Sequence, residues 1–160
     1  MPEAKHDNAR SIGEPLRYSD SAGDFDEAKA GEFNAELVRR VRAFNYERVG
    51  EYRFAPLTAV AHDDAGELVG GAGGTIGLHW LHVDVMWVAA AQRGRDLGSQ
   101  LLRRLEAMAI ERGARRAHVE TTSFQALGFY QKHGYAVFGQ LDDFPEGHAY
   151  FYLKKTFPNA

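Results

Sequence analysis

Trp87-Val88-Ala89-Ala90-Ala91-Gln92-Arg93-Gly94-Arg95-Asp96-Leu97-Gly98-Ser99-Gln100-Leu101-Leu102 is the stretch on which the reading of this chain turns. It delivers a strand through a tight, glycine-containing loop into a helix. Working backwards, Trp80 to Val88 alternates as a strand does, with Leu81, Val83, Val85 and Trp87 on an apolar face and Trp80, His82, Asp84 and Met86 on a face too polar for plain core. Working forwards, Leu97, Leu101, Leu102, Leu105, Met108 and Ala109 trace a stripe at helical spacing that stops at Gly113, a natural C-cap residue. A turn of this kind aims backbone N–H groups and the positive end of a helix dipole at one point, where a phosphate or pyrophosphate is held. Arg93 and Arg95 add positive charge, and Gly94 and Gly98 let the backbone approach a ligand with no Cβ between them. Two well-known phosphate loops do not fit. The Walker pattern needs Lys after its last glycine, where Ser99 stands, and G-x-G-x-x-G is not matched by Gly94 and Gly98 with three residues between them.

Outward from this stretch the pattern is mixed α and β. Phe33, Leu37, Val38, Val41 and Phe44 recur at helical spacing, with Glu36, Arg39, Arg40 and Arg42 opposite, predicting a helix that ends near Gly50. Ala55 to Ala61, the turn Asp63-Asp64-Ala65-Gly66 and Leu68-Val69 read as a hairpin whose second strand carries Gly70, Gly71, Gly73 and Gly74, a sign of a bulge or close backbone approach. Downstream come a strand at Arg116 to Thr121, a helix from Phe124 to Lys132 closed by Gly134, and strands at Tyr135 to Gln140 and Ala149 to Lys154. The first residues support a flexible leader over 1–14 and a short strand around Leu16 to Tyr18, followed by a single domain over 15–157.

Composition narrows the function. With 160 residues, 44% hydrophobic and 26% charged, the chain is long enough for one core. Nineteen basic residues against 22 acidic ones, at a sequence pI near 6.2, leave no bulk charge for nucleic acid or an anionic membrane. The absence of cysteine removes disulfides, thiolate metal sites and a cysteinyl intermediate. No signal-like or bilayer-length apolar run is present, so a soluble, cytoplasmic protein is expected, either monomer or homodimer. His79 and His82 fall on opposite faces of a regular strand, which speaks against a metal.

The loop itself resembles motif A of the GNAT N-acetyltransferase superfamily, R/Q-x-x-G-x-G/A, with Arg93 first, Gly98 last and Asp96 replacing the middle glycine. Asp tolerates positive φ, so the loop geometry is expected to survive with the Asp96 side chain turned to solvent. Ser123-Phe124-Gln125-Ala126-Leu127-Gly128-Phe129-Tyr130-Gln131-Lys132-His133-Gly134-Tyr135 is similar to motif B, N-x-x-A-x-x-F/L-Y-x-x-x-G-F, with Ser123 in the place of Asn. The resemblance spans roughly residues 55–155. It implies an α/β fold whose mixed, mostly antiparallel sheet is flanked by helices and splayed where two central strands part to admit the pantetheine arm of acetyl-CoA. It implies acetyl-CoA as cosubstrate, held by Trp87, Val88, Arg93, Gly94, Arg95, Asp96, Leu97, Gly98, Ser99, Ser123 and Phe129, with backbone amides at Trp87 to Ala89 polarising the thioester carbonyl.

The activity implied is transfer of an acetyl group to a primary amine of a small molecule or peptide. An ammonium with a pKa of about 10.4 must lose a proton before it attacks, and the departing thiolate must gain one. Tyr130 falls on the tyrosine that serves as general acid in relatives, and His82 or Asp84, on one strand face, is the candidate base. Asp142, Asp143 and Glu146 read as a solvated turn that would attract a cationic acceptor. The rival readings are a non-catalytic acyl-CoA-binding regulatory module, kept open by Asp96 and Ser123, and an RNA-binding module suggested by the RRM-like run Lys132 to Phe138.

Overall fold

The computed structural model describes residues 18–24 and 26–158. The leader over 1–14 lies outside them, as do Leu16 and Arg17 of the short strand expected there, and Tyr18 is not in a strand. The chain divides after Gly50 into two compact units.

The first unit holds α1 (Glu27–Val49). Apolar spacing alone starts this helix at Phe33, but it begins earlier because the Asp26 carboxylate accepts the Lys29 backbone N–H at 2.9 Å, a cap that periodicity does not reveal. Glu36 accepts hydrogen bonds from Arg39 and Arg40 one turn on, at 2.6 to 2.7 Å, and Gly50 ends the helix at φ +78°.

The second unit runs β1 (Ala55–His62), β2 (Leu68–Gly77), β3 (Trp80–Val88), one 3₁₀ turn (Ala90–Gln92), α2 (Leu97–Glu111), β4 (Arg116–Thr122), α3 (Leu127–Lys132), β5 (Ala136–Asp142) and β6 (Ala149–Thr156). These strands form a six-stranded sheet in the order β1-β2-β3-β4-β6-β5, antiparallel throughout except for the β3–β4 pair. The parallel pair follows from the chain crossing through α2 between those strands. The α/β class and the mixed, mostly antiparallel sheet are those expected from the sequence.

Burial on one face of the sheet places the core. Leu101, Leu102, Leu105 and Ala109 of α2 cluster with Leu57, Ala59, Ala72, Ile76, Leu81, Val83, Ala117, Val119 and Leu153 from five strands. Each fully buried leucine contributes roughly 1.5–3 kcal/mol. Glu106 interrupts the stripe but is not left bare: its carboxylate accepts Lys155 Nζ at 2.7 and 2.9 Å and the Tyr135 hydroxyl at 2.9 Å. That network ties α2 to β6 and to the residue just before β5, and burial together with the Glu106 charge pushes the Tyr135 phenol far up.

The expected pairing breaks at one residue of β3. Gly73 of β2 stands opposite Val85, yet Gly74 stands opposite Val83, so Asp84 is a bulge with no partner. The extra residue reverses the faces beyond it. Leu81 and Val83 enter the core as expected, but then Met86 and Val88 pack toward it while Val85 and Trp87 turn to the opposite face, 61% and 47% exposed. The even alternation read from the sequence therefore fails after Asp84. The bulge also requires Gly74, where a Cβ would lie 2.5 Å from the His82 carbonyl oxygen.

The helix expected from Phe124 is shorter, Leu127–Lys132, because residues 123–126 form a turn instead. There the Gln125 backbone N–H donates to Thr122 O, while the Gln125 side chain accepts the Thr122 N–H and the Ala126 N–H goes to Thr121 Oγ1. No helix among the described residues is long and apolar enough to cross a membrane.

Gly74→Ala should lower the urea midpoint by the equivalent of about 1–3 kcal/mol, since backbone must shift to relieve the contact. Gly71→Ala, whose new Cβ would meet only ordinary contacts at 3.5 Å and beyond, is the control and should be neutral or slightly stabilising. Equal midpoints for the two variants would remove the bulge as a steric constraint.

Candidate active site

Pairing of β3 with β4 covers only Trp80–Val83 against Arg116–Val119. Beyond it β3 stays with β2 and β4 stays with β6, and a cleft of about 1170 Å³ opens between them. The central splay is thus where the bulge begins.

Backbone polarity along β3 follows from strand alternation. The Ala89 N–H donates to Val69 O at 2.9 Å, so Ala89 and Trp87 turn their amides toward β2, whereas Met86 and Val88 turn theirs to the cleft. Of the three amides expected to polarise a carbonyl, Val88's is the one facing the gap. The Val88 carbonyl takes the Arg93 Nε–H at 3.1 Å, which folds the loop back over the strand end.

The first intrahelical bond of α2 runs from Gln100 N–H to Asp96 O, leaving the amides of Leu97, Gly98 and Ser99 without intrahelical partners at the end of the cleft. Asp96 adopts φ +63°, a left-handed conformation open to its residue type, and pairs its carboxylate with Arg103 Nη2 at 2.9 Å. Hydrogen bonds from Ser99 and from Arg103 hold that carboxyl below its ordinary pKa. Gly98 faces the Phe129 ring, which stands 3.5 Å from where a Cβ would be, so the loop and α3 meet at this residue. Gly94, at φ +75°, Leu97, Ser99 and Arg93 line the same end.

Tyr130 lines the cleft from α3. It is 5% exposed, packed edge-on against Phe129 and Tyr135 at 5.2 and 5.7 Å between ring centroids, and burial pushes its phenol from 10.0 up to about 12. A phenol so placed holds its proton at any ordinary pH.

On the sheet face opposite α2 the parallel register sets His82 beside His118, with their rings stacked at 4.3 Å and 8°. His82 Nδ1 lies 2.8 Å from Asp84 Oδ1, and Asp84 Oδ2 accepts the Thr75 hydroxyl at 2.7 Å. The other ring nitrogen, Nε2, lies 2.6 Å from Glu120 Oε2, and His118 Nδ1 is 3.4 Å from Glu120 Oε1. Asp84 and Glu120 line the cleft and His82 stands behind them, between the two carboxylates.

Most residues singled out in the sequence converge here: Trp87, Val88, Arg93, Gly94, Asp96, Leu97, Gly98, Ser99, Phe129, Tyr130 and Asp84 line one cleft. Arg95 and Ser123 do not line it. Ser123 Oγ accepts the Ala149 N–H at 3.2 Å and lies 3.3 Å from His148 Nδ1, tying the turn after β4 to the start of β6. Asp142 accepts Gln140 Nε2 at 2.6 Å, and Asp143 accepts the Gly147 N–H at 3.2 Å, as residues shaping a turn do. Tyr135 of the RRM-like run is 2% exposed, so its ring offers no stacking face.

Sequence reasoning missed Glu120, Gln125, Lys132 and His133, all of which line the cleft. Lys132 and His133 were within reach, being three and four residues after Phe129 on one helical face, and His133 Nδ1 is 2.8 Å from Phe129 O. Glu120 carries no local signal, since only the β3–β4 register brings it to His82.

A family model described as the Acetyltransferase (GNAT) family matches residues 23–135. Blasticidin-S acetyltransferase of Streptomyces morookaense is 43% identical over 116 residues, covering 71% of this chain and 85% of that protein. Acetyltransferase Atu2258 of Agrobacterium fabrum is 30% identical over 128 residues, covering 78% and 93%. Among solved structures, an acetyltransferase from Bacillus cereus superposes with a TM-score of 0.76 at 27% identity, over 88% of this chain and 98% of that one. A Bacillus anthracis protein solved in complex with acetyl coenzyme A shares the fold with a TM-score of 0.57 at 17% identity, over 64% and 63%.

Because its folded pKa lies above the unfolded value, Tyr130 contributes stability that is whole below pH 10.0 and lost as pH rises through about 12. Urea midpoints measured across that window should fall more steeply for the parent chain than for Tyr130→Phe. Parallel curves would show that the phenol is not held in its neutral form by burial.

Proposed function

The chain belongs to the GNAT acetyltransferase family and is an acetyltransferase of that type, and from that premise we propose that it transfers the acetyl group of acetyl-CoA directly to a primary amine of a small cationic acceptor. The observation that carries this reading is the convergence, in one cleft at the parting of β3 and β4, of a helix N-terminus, a buried phenol and a carboxylate held by histidine.

The free amides of Leu97, Gly98 and Ser99, with Arg93 and Lys132 beside them, suit the diphosphate of coenzyme A. Gly98 leaves the approach open, and Asp96 keeps the loop conformation while Arg103 neutralises its charge. Along the splay, the cleft-facing amide of Val88 suits the thioester carbonyl and stabilises negative charge as it develops there.

Glu120, supported by His82 and behind it Asp84 and Thr75, is the base assembly in this reading. Glu120 accepts the acceptor's proton directly or through water, and His82, set between Glu120 and Asp84, positions it. The freed amine attacks the carbonyl carbon, the carbon–sulfur bond breaks as the nitrogen loses its second proton to water, and the thiolate takes the Tyr130 proton. The phenolate then regains a proton from solvent.

The acceptor class rests on charge and shape. Asp84 and Glu120 attract a cation, and Trp87, Tyr150 and Tyr152 share their sheet face with flat apolar surface. Blasticidin S, the substrate in the name of a relative, is therefore the first acceptor to assay.

Tyr130→Phe should lower kcat by about 10²-fold or more, with acetyl-CoA affinity within about two-fold of the parent. Equal turnover would end the acid role, and a chain that binds acetyl-CoA but releases no thiol with any amine would instead be the non-catalytic binder. Glu120→Gln should lower kcat/KM most at neutral pH and recover as pH approaches the acceptor's own pKa. A deficit constant with pH would remove Glu120 as the base.

A further inference from the structure

We infer that His82, His118 and Glu120 form a binding site for a divalent transition-metal ion of the zinc class, on the acceptor side of the cleft. One nitrogen from each histidine and one Glu120 oxygen lie within 4.8 Å of one another. In a site that binds zinc with bonds of about 2.0–2.2 Å, ligand atoms stand some 3.3–3.5 Å apart, so side-chain rotation without backbone movement closes the set. Two imidazoles and a carboxylate make a borderline-soft donor set that suits zinc, cobalt or nickel and not magnesium or calcium.

Three further observations point to an ion and not to a hydrogen-bonded cluster alone. The β3–β4 register sets His82 opposite His118, so strand spacing itself delivers two imidazoles side by side. His82 already has the outer support typical of a metal-bound histidine: Nδ1 faces Asp84, which is held in turn by Thr75, leaving Nε2 for the ion. The side chains are partly open, at 38%, 33% and 22% exposure for His82, His118 and Glu120, which leaves an entry path and room for water as the remaining ligand. The expectation of no metal rested on the absence of cysteine, which removes thiolate sites, and on the offset between His79 and His82. His79 indeed points elsewhere, to Gly113 O at 2.9 Å, but His118 takes the place it could not fill.

The test uses tag-free full chain stripped with chelator, titrated with zinc by calorimetry and with cobalt(II) by visible absorption, without acetyl-CoA. The expected result is one equivalent bound at micromolar or tighter affinity, with a cobalt d–d band, and at least ten-fold weakening in His118→Ala and in His118→Gln. His62→Ala is the control and should bind as the parent does. No binding up to millimolar zinc, or equal affinity in the parent and both folded His118 variants, overturns the site. Turnover separates this from the role of Glu120 proposed above. Zinc that binds and inhibits the parent but spares His118→Ala supports both, whereas zinc that binds without inhibiting supports the site and counts against Glu120 as base.

Discussion

The parting of β3 from β4 at Asp84 is the constraint on which the second unit's chemistry depends. A strand cannot hold full register on both sides across a one-residue insertion, so the bulge releases β3 from its parallel neighbour while β2 keeps it. The released segment still has polar backbone groups on its free side, and these face the cleft, not a strand. Gly74 makes the bulge possible, because His82's carbonyl occupies the space that a side chain there would need. Everything that lines the gap is held by elements that do pair: α2 by the core, β4 by β6, and α3 through Phe129 at Gly98.

The same interruption sorts the residues of β3 by role. Before it, Leu81 and Val83 build core while His82 faces the opposite side; after it, Met86 and Val88 turn inward and Trp87 outward. The bulged Asp84 stays on the side of His82 and Thr75, so two carboxylates come to flank one imidazole. Charge on this face contrasts with the Glu106, Lys155 and Tyr135 network on the other, which is buried and fully engaged and serves to fasten α2 to the far half of the sheet.

Local signals carried much of the fold. Helical spacing located α2, the Asp63 to Gly66 turn located the first hairpin, and Gly50, Gly113 and Gly134 marked the ends of the helices through positive φ. Signals that depend on a side chain's particular hydrogen bond were weaker guides, as the Asp26 cap that lengthens α1 and the Gln125 turn that shortens α3 show. The loop from Arg93 to Ser99 was legible because its glycines and the helix start that follows them are consecutive residues.

What the sequence by itself determined is the strand–loop–helix unit, the two family-like motifs and the placing of Tyr130, since each arises from residues within a few positions of one another. Only the tertiary structure decided that Glu120 and His118 join His82, that Ser123 and Arg95 stand away from the cleft, and that the faces of β3 exchange at Asp84. The reason is that strand register is set by pairing between segments far apart in the chain, and a shift of one residue moves every later side chain to the other face.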